Sequence, residues 1–219
     1  NLDILKKLPI DNNEEKKGKK IQRLSHSIEV GVGLLNHVKE MRAAECGKIQ
    51  LKIEPIMITD VVESAKILFQ HKLQEKNIVL ELQDDTRGAQ FLAHKESFSH
   101  CVFDNFISNA IKFSPENSEI RIRAYTTEKG FEIKISDSGT GIPSEIAKNL
   151  FEANVQTTRI GTHGKKGTGF GMVLAHRYML LYGGSISVEI PNSQALSQSS
   201  TNSQPTSGTT FNLLLKNVA

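Results

Sequence analysis

Ile120-Arg121-Ile122-Arg123-Ala124-Tyr125, then Glu128-Lys129-Gly130, then Phe131-Glu132-Ile133-Lys134-Ile135-Ser136-Asp137-Ser138-Gly139-Thr140-Gly141-Ile142-Pro143 is the stretch that decides the fold. Apolar and polar residues alternate on both sides of the turn, the period of two half-buried strands in a hairpin. A hairpin of this kind buries one face and leaves the other wet, so an apolar layer must cover it. The residues just upstream supply that layer. Residues 95–113 place Phe98, Cys101, Val102, Phe106, Ile107, Ala110 and Ile111 at helical spacing, which predicts one amphipathic helix.

The pattern extends in both directions. Residues 49–53 alternate as a strand, and Thr59 stands as the cap of a helix carrying Val61, Val62, Ala65, Ile67, Leu68 and Leu73. Residues 78–82 and 91–93 predict two further strands. Downstream come a short helix from Pro143, a loop of Gly, Thr and Lys, a helix over 170–182, and strands at 186–190 and 210–215. Between those strands, residues 191–208 are nearly all polar or Gly/Pro and predict a mobile insertion. Hairpins beside helices, without strict alternation of the two, predict an α+β layered sandwich with a mixed, mostly antiparallel sheet and helices on one face.

Ile21, Leu24, Ile28, Gly31, Leu35 and Val38 recur in steps of three and four. That spacing predicts a helix over 20–44 whose seam needs a partner helix. The expected division is therefore a partial helical hairpin over 1–46 and a main domain over 47–219.

Composition narrows the function. The chain has 219 residues, a formal net charge of +3, no Trp and 6% aromatics. That leaves too few rings for a base-stacking platform and too little charge for bulk attraction to nucleic acid, so no nucleic-acid partner is expected. No apolar run approaches the ~20 residues that span a bilayer. Two distant thiols, Cys46 and Cys101, exclude a disulfide framework and fit a reducing compartment. The expected location is cytoplasmic, with any membrane anchor outside this chain.

Three patches can carry chemistry. On the helix of 95–113, Asn105, Asn109 and Lys112 recur at i, i+4 and i+7 and share one face. Amide oxygens suit a hard cation such as Mg²⁺, and the Lys suits a phosphate. At the end of the second hairpin strand, Asp137 precedes Gly139 and Gly141, so a carboxylate meets backbone that a ligand can approach closely. Such a carboxylate can accept from an exocyclic amine like that of adenine. The third patch, Gly161-Thr162-His163-Gly164-Lys165-Lys166-Gly167-Thr168-Gly169-Phe170-Gly171, runs into a helix and makes an anion site of its N–H groups. Neither a dinucleotide fingerprint nor a Walker A loop is present.

In this order, the patches resemble the ATP-binding catalytic domain of sensor histidine kinases, within the gyrase, Hsp90, histidine kinase and MutL superfamily. Asn105 to Phe113 resembles the N box, Asp137-Ser138-Gly139-Thr140-Gly141 the G1 box, and Gly167-Thr168-Gly169-Phe170-Gly171-Met172 the G2 box. Leu150-Phe151-Glu152 is similar to the start of the F box without its second aromatic, and Phe170 and Met172 replace the usual leucines. The resemblance implies a Bergerat-type ATP-binding fold with ATP and Mg²⁺ as cofactors. It implies Asp137 on the adenine amine, with Thr209 nearby, and Asn109 on Mg²⁺. Asn105 and Lys112 would act at the phosphates as the catalytic pair. Phe113, Ile142, Thr168 and Phe170 would complete the nucleotide site, and the amides of Gly167, Gly169 and Gly171 would cradle phosphate. Residues 152–168 would form a lid.

ATPase branches of the superfamily carry an acidic base where Asn105 stands, so the resemblance implies phosphoryl transfer rather than hydrolysis. The implied partners are a phosphoacceptor histidine helix, a response regulator receiver domain, and a second copy paired through the helical hairpin. His26 is followed by Ser and lies on the wrong helix, so the acceptor is expected outside this chain. Two alternatives use the same fold: a serine kinase of the anti-sigma type, and a non-catalytic ATP-binding scaffold. His94 stands where an acidic cap is common, which predicts a poorly capped helix start.

Overall fold

The computed structural model describes residues 51–152, 162, 169–189 and 208–216, together with Ile28, Gly31, Val32, Leu35, Val38, Lys39, Arg42 and Cys46. The chain divides into two compact units, Asn1–Ile49 and Gln50–Ala219. In the first, the described residues from Ile28 to Arg42 are helical, and Ile28, Leu35 and Val38 of the expected seam are exposed. His26, Ile21 and Leu24 lie outside the described residues. Among the described residues, no helix is long and apolar enough to cross a membrane.

The second unit begins with β1 (Glu54–Ile56), α1 (Ile58–Glu75), β2 (Val79–Asp85) and β3 (Phe91–Ala93). A short helical turn α2 (Lys95–Ser97), a π-helical segment (Phe98–Phe103) and α3 (Asp104–Phe113) follow without interruption. Then come β4 (Glu119–Thr127), β5 (Gly130–Asp137), α4 (Ser144–Lys148), α5 (Gly171–Leu181), β6 (Ser185–Glu189) and β7 (Thr209–Leu215).

The five-stranded sheet runs β2-β4-β5-β7-β6. Its β2–β4 pair is parallel and the other three are antiparallel. Alternation sorts the residues as the sequence reading requires. Ile120, Ile122, Ala124, Phe131, Ile133, Ile135, Phe211, Leu213 and Leu215 are buried under the helices. The opposite face carries Arg121, Arg123, Glu132, Lys134, Asn212 and Glu189, tied by bonds such as Asn212 to Glu189 at 2.8 Å and Tyr125 to Glu132 at 2.9 Å. This is an α+β sandwich with one wet face, as expected.

Four local expectations are corrected. Leu51, Lys52 and Ile53 are not strand; β1 lies one step later, pairing Glu54 with Ala93 and Ile56 with Phe91. Phe91-Leu92-Ala93 offers a ladder of three residues, and Ile56, at 3% exposure against 46% for Ile53, is the residue that reaches the core. Thr59 does not cap α1. Burial of Ile58 in register with Val61, Val62 and Ala65 starts the helix earlier, with Met57 at the cap and no side-chain bond there. The single helix over 95–113 is interrupted by its π turn, whose wider winding lets Cys101, Val102 and Phe103 all face the core. His94 is a working cap after all, since its Nδ1 accepts from the Ser97 N–H at 3.4 Å and meets the Ser97 hydroxyl at 2.8 Å. A ring nitrogen serves a helix start as a carboxylate does.

Candidate nucleotide site

Three sequence-distant patches converge because α3 is fixed in the core. Phe106 packs on Phe211 of β7 at 4.9 Å between ring centres, and Ile107, Ala110 and Ile111 are buried beside it. The remaining face holds Asn105, Asn109 and Lys112, all half-buried. Helical spacing thus places two amides and an ammonium in one row, as expected.

The second patch docks at the end of this helix. Asp137 closes β5, and its Oδ1 accepts the N–H of Gly139 at 2.8 Å and of Thr209 at 3.3 Å. The ladder supplies the second donor, because Asp137 is registered opposite Thr209. Thr209, named as a neighbour of the adenine site, is buried and acts here through its backbone. Gly139 is seated against α3: a Cβ there would lie 2.8 Å from the Phe113 carbonyl oxygen and 2.7 Å from Asp137 Oδ1. Both neighbours are fixed, one by backbone and one by two hydrogen bonds. Gly139→Ala is therefore expected to cost about 1–3 kcal/mol and to lower Tm by roughly 3–10 °C, read by thermal unfolding followed by circular dichroism. Gly141, at φ +69°, continues the turn in the left-handed region, and Ile142 is half-buried beside it.

The third patch meets the first at Asn105. The Asn105 amide donates to the Cys101 carbonyl at 2.7 Å, within the π segment, which fixes the side chain. Its Oδ1 then lies against Gly171, where any Cβ would overlap it. So α5 can start beside α3 only with glycine at its first position. The first turn of α5 contains no acidic residue, which leaves its positive dipole end uncompensated. Gly169 has φ +80° and Phe170 is 55% exposed at this start. Gly167, Thr168, and all of the expected lid except Glu152 and Thr162 lie outside the described residues. Leu150 is buried, and Phe151 stacks on His176 of α5 at 5.0 Å. Burial and the adjacent Arg177 hold the His176 pKa below its ordinary value.

Two further residues contribute. Gly208 abuts the Asp137 carbonyl so closely that a Cβ there would overlap it. Lys76 is a buried cation whose Nζ reaches the Ile111 carbonyl at 2.7 Å. Each serves the site through tertiary contact, and no local pattern marks Lys76.

The cradle left by glycines at 139 and 171, the held carboxylate and the bare helix start together suit a nucleotide. For the metal, no group of three or more His, Cys, Asp or Glu among the described residues could hold an ion. Mg²⁺ on a nucleotide takes most of its ligands from phosphates and water, so one amide oxygen from Asn109 is a fitting protein contribution.

Residues 94–219 match the family of histidine kinase-, DNA gyrase B-, and HSP90-like ATPases. The chain belongs to this family. Histidine kinases are among its curated relatives. The sensor histidine kinase TmoS of Ectopseudomonas mendocina is 30% identical over 190 residues, covering 84% of this chain and 18% of that protein. The circadian input-output histidine kinase CikA of Synechococcus elongatus is 27% identical over 177 residues, covering 80% of this chain and 23% of that protein. The chain thus spans less than a third of the length of the relatives it matches. Among solved structures, histidine kinase AdeS of Acinetobacter baumannii matches with a TM-score of 0.66 at 20% identity, covering 90% of this chain and 83% of that one. Full-length ShkA in complex with AMPPNP matches with a TM-score of 0.68 at 21% identity, covering 93% of this chain and 40% of that one. These likenesses establish the fold of a histidine kinase catalytic domain. In this domain, the polar row on α3 and the Asp137 turn occupy adjoining positions, with Gly139 against the Phe113 carbonyl.

Proposed function

We propose that the domain binds Mg-ATP and transfers its γ-phosphoryl group to a histidine on a helical acceptor, as the catalytic part of a two-component sensor kinase. The observation that supports this best is the seating of both glycine turns on α3: Gly139 against the end of the N box and Gly171 against Asn105. Asp137, with Oδ1 held by two N–H groups, would accept from the adenine amine. Phe113, Gly141, Ile142 and Thr209 would surround the base. The start of α5 and Lys112 would face the phosphates. Bound Mg²⁺, held through Asn109, supplies neutralisation of the charge that builds on the phosphate oxygens.

Transfer is favoured over hydrolysis by what stands at residue 105. Hydrolysis needs a base to take a proton from water, and an amide cannot serve. The neighbouring Asp104 is no substitute. It lies about 100° further round the helix, and its carboxylate pairs with His100 Nδ1 at 2.9 Å. The nucleophile is then the acceptor imidazole. Its nitrogen bonds to phosphorus, the bond to the bridging oxygen breaks, ADP departs, and the imidazole N–H proton is lost. The implied partners are a helix bearing that histidine, in this polypeptide or a second copy, and a receiver domain that takes the phosphoryl group onward.

The test is transfer in trans. The full chain with γ-labelled ATP and Mg²⁺ should label a separately supplied acceptor helix pair, and the label should be lost in acid and kept in base. Acid-stable label on serine points to the serine kinase alternative. ATP binding with no transfer to any acceptor points to a scaffold.

A further inference from the structure

Lys76 stands just past the end of α1, yet its side chain belongs to the far end of α3. It is 6% exposed. Its Nζ donates to the carbonyls of Ile111 at 2.7 Å and Ser114 at 2.8 Å, with that of Lys112 at 3.4 Å. Ile111 and Lys112 belong to the last turn of α3, whose carbonyls lack intrahelical partners and carry the negative end of the dipole, and Ser114 is the residue that caps it. The same ammonium donates to Thr162 Oγ1 at 2.6 Å. Thr162 also bonds the helix end directly: its N–H donates to the Lys112 carbonyl at 3.2 Å and its hydroxyl to the same oxygen at 3.0 Å.

One buried cation therefore ties two parts of the chain to one helix terminus. The terminus carries Lys112 and Phe113, and the Phe113 carbonyl is the seat of Gly139. Thr162 belongs to the connection between α4 and α5, whose C-terminal end is the Gly169–Gly171 turn. The base of the clasp is firm. The Lys76 carbonyl accepts the Asn117 N–H at 2.9 Å, and Asn77 and Asn117, both at positive φ, pair through their side chains at 2.7 Å. Burial lowers the Lys76 pKa, against the opposing pull of Glu116 and Glu75.

The geometry points to Lys76 as a positioning residue for nucleotide: it holds the N-box terminus and Thr162 in the arrangement that the two glycine turns require, without itself touching the ligand. This rests on the nucleotide-binding reading above. A hydrogen bond to a charged group is worth about tenfold or more in an equilibrium constant, and that sets the expected effect.

The experiment titrates Mg-ADP calorimetrically into the full chain, its Thr162→Val, Lys76→Met and doubly substituted forms, with Tm measured on each. Thr162→Val should raise Kd about tenfold with Tm unchanged, because it removes one leg of the clasp at an exposed position. Lys76→Met should raise Kd at least as much and lower Tm. The double variant should bind like Lys76→Met alone, the non-additivity expected of groups acting as one unit. A lowered Tm with unchanged Kd in Lys76→Met reduces the residue to a structural cap and overturns the inference, as does strict additivity. If Lys76→Met does not fold, Thr162→Val decides: unchanged Kd overturns the clasp. A parent chain that binds no Mg-ADP overturns the nucleotide reading instead, which keeps the two failures distinct.

Discussion

Asp137→Asn is expected to weaken Mg-ATP binding by about two to three orders of magnitude, the loss of one charge-assisted hydrogen bond and its replacement by a donor facing a donor. Tm should stay close to that of the parent. The reason lies in how the carboxylate is held. Oδ1 accepts the N–H groups of Gly139 and Thr209, and an asparagine Oδ1 can accept both in the same place. The amide nitrogen then occupies the other position, and the adenine amine meets an N–H where it needs an acceptor. Calorimetric titration alongside thermal unfolding separates the two readouts. A large fall in Tm shows the residue to be chiefly structural.

Asn109→Ala should lower phosphoryl transfer by about a thousandfold, the several kcal/mol that a correctly placed metal contributes to charge stabilisation. Affinity for ADP in the absence of Mg²⁺ should be nearly unchanged. Asn109 sits mid-row on α3, half-buried, with Asn105 one turn before it and Lys112 almost one turn after. The side chain contributes no core packing comparable to that of the fully buried Phe106 or Ile107. Removing it subtracts an oxygen ligand and little else. Titrating Mg²⁺ into the transfer reaction checks the assignment: the variant should need more metal to reach its reduced rate. Equal metal dependence in variant and parent contradicts it.

The alternation of residues 120–135 and the polar row at 105, 109 and 112 gave the sandwich and one wall of the site directly, because both are written in the periods of strand and helix. The Asp137 turn was legible for a different reason, as a carboxylate followed by glycines at a strand end. What the sequence could not display is contact between distant segments. Gly171 must be glycine because Asn105 stands against it, and Gly208 because the Asp137 carbonyl does. Lys76 reads as one more lysine at a helix end until the fold brings the terminus of α3 over it. The π turn before α3 was hidden similarly, since Phe98, Cys101 and Val102 also fit the spacing of an ordinary helix. The errors at residues 51–53 and at Thr59 share a cause: a local signal of strand or cap yielded to the burial of Ile56 and Ile58.

The central claim is that Asp137 reads the adenine amine of a nucleotide lying along α3. Comparing ATP with inosine triphosphate, which carries an oxygen where adenine has its amine, tests that claim most directly. In the presence of Mg²⁺, the parent chain should bind ATP about a hundredfold more tightly, since a site built to bond a group rejects an analogue lacking it. In Asp137→Asn that preference should vanish or reverse. Equal affinity of the parent for the two nucleotides contradicts the account.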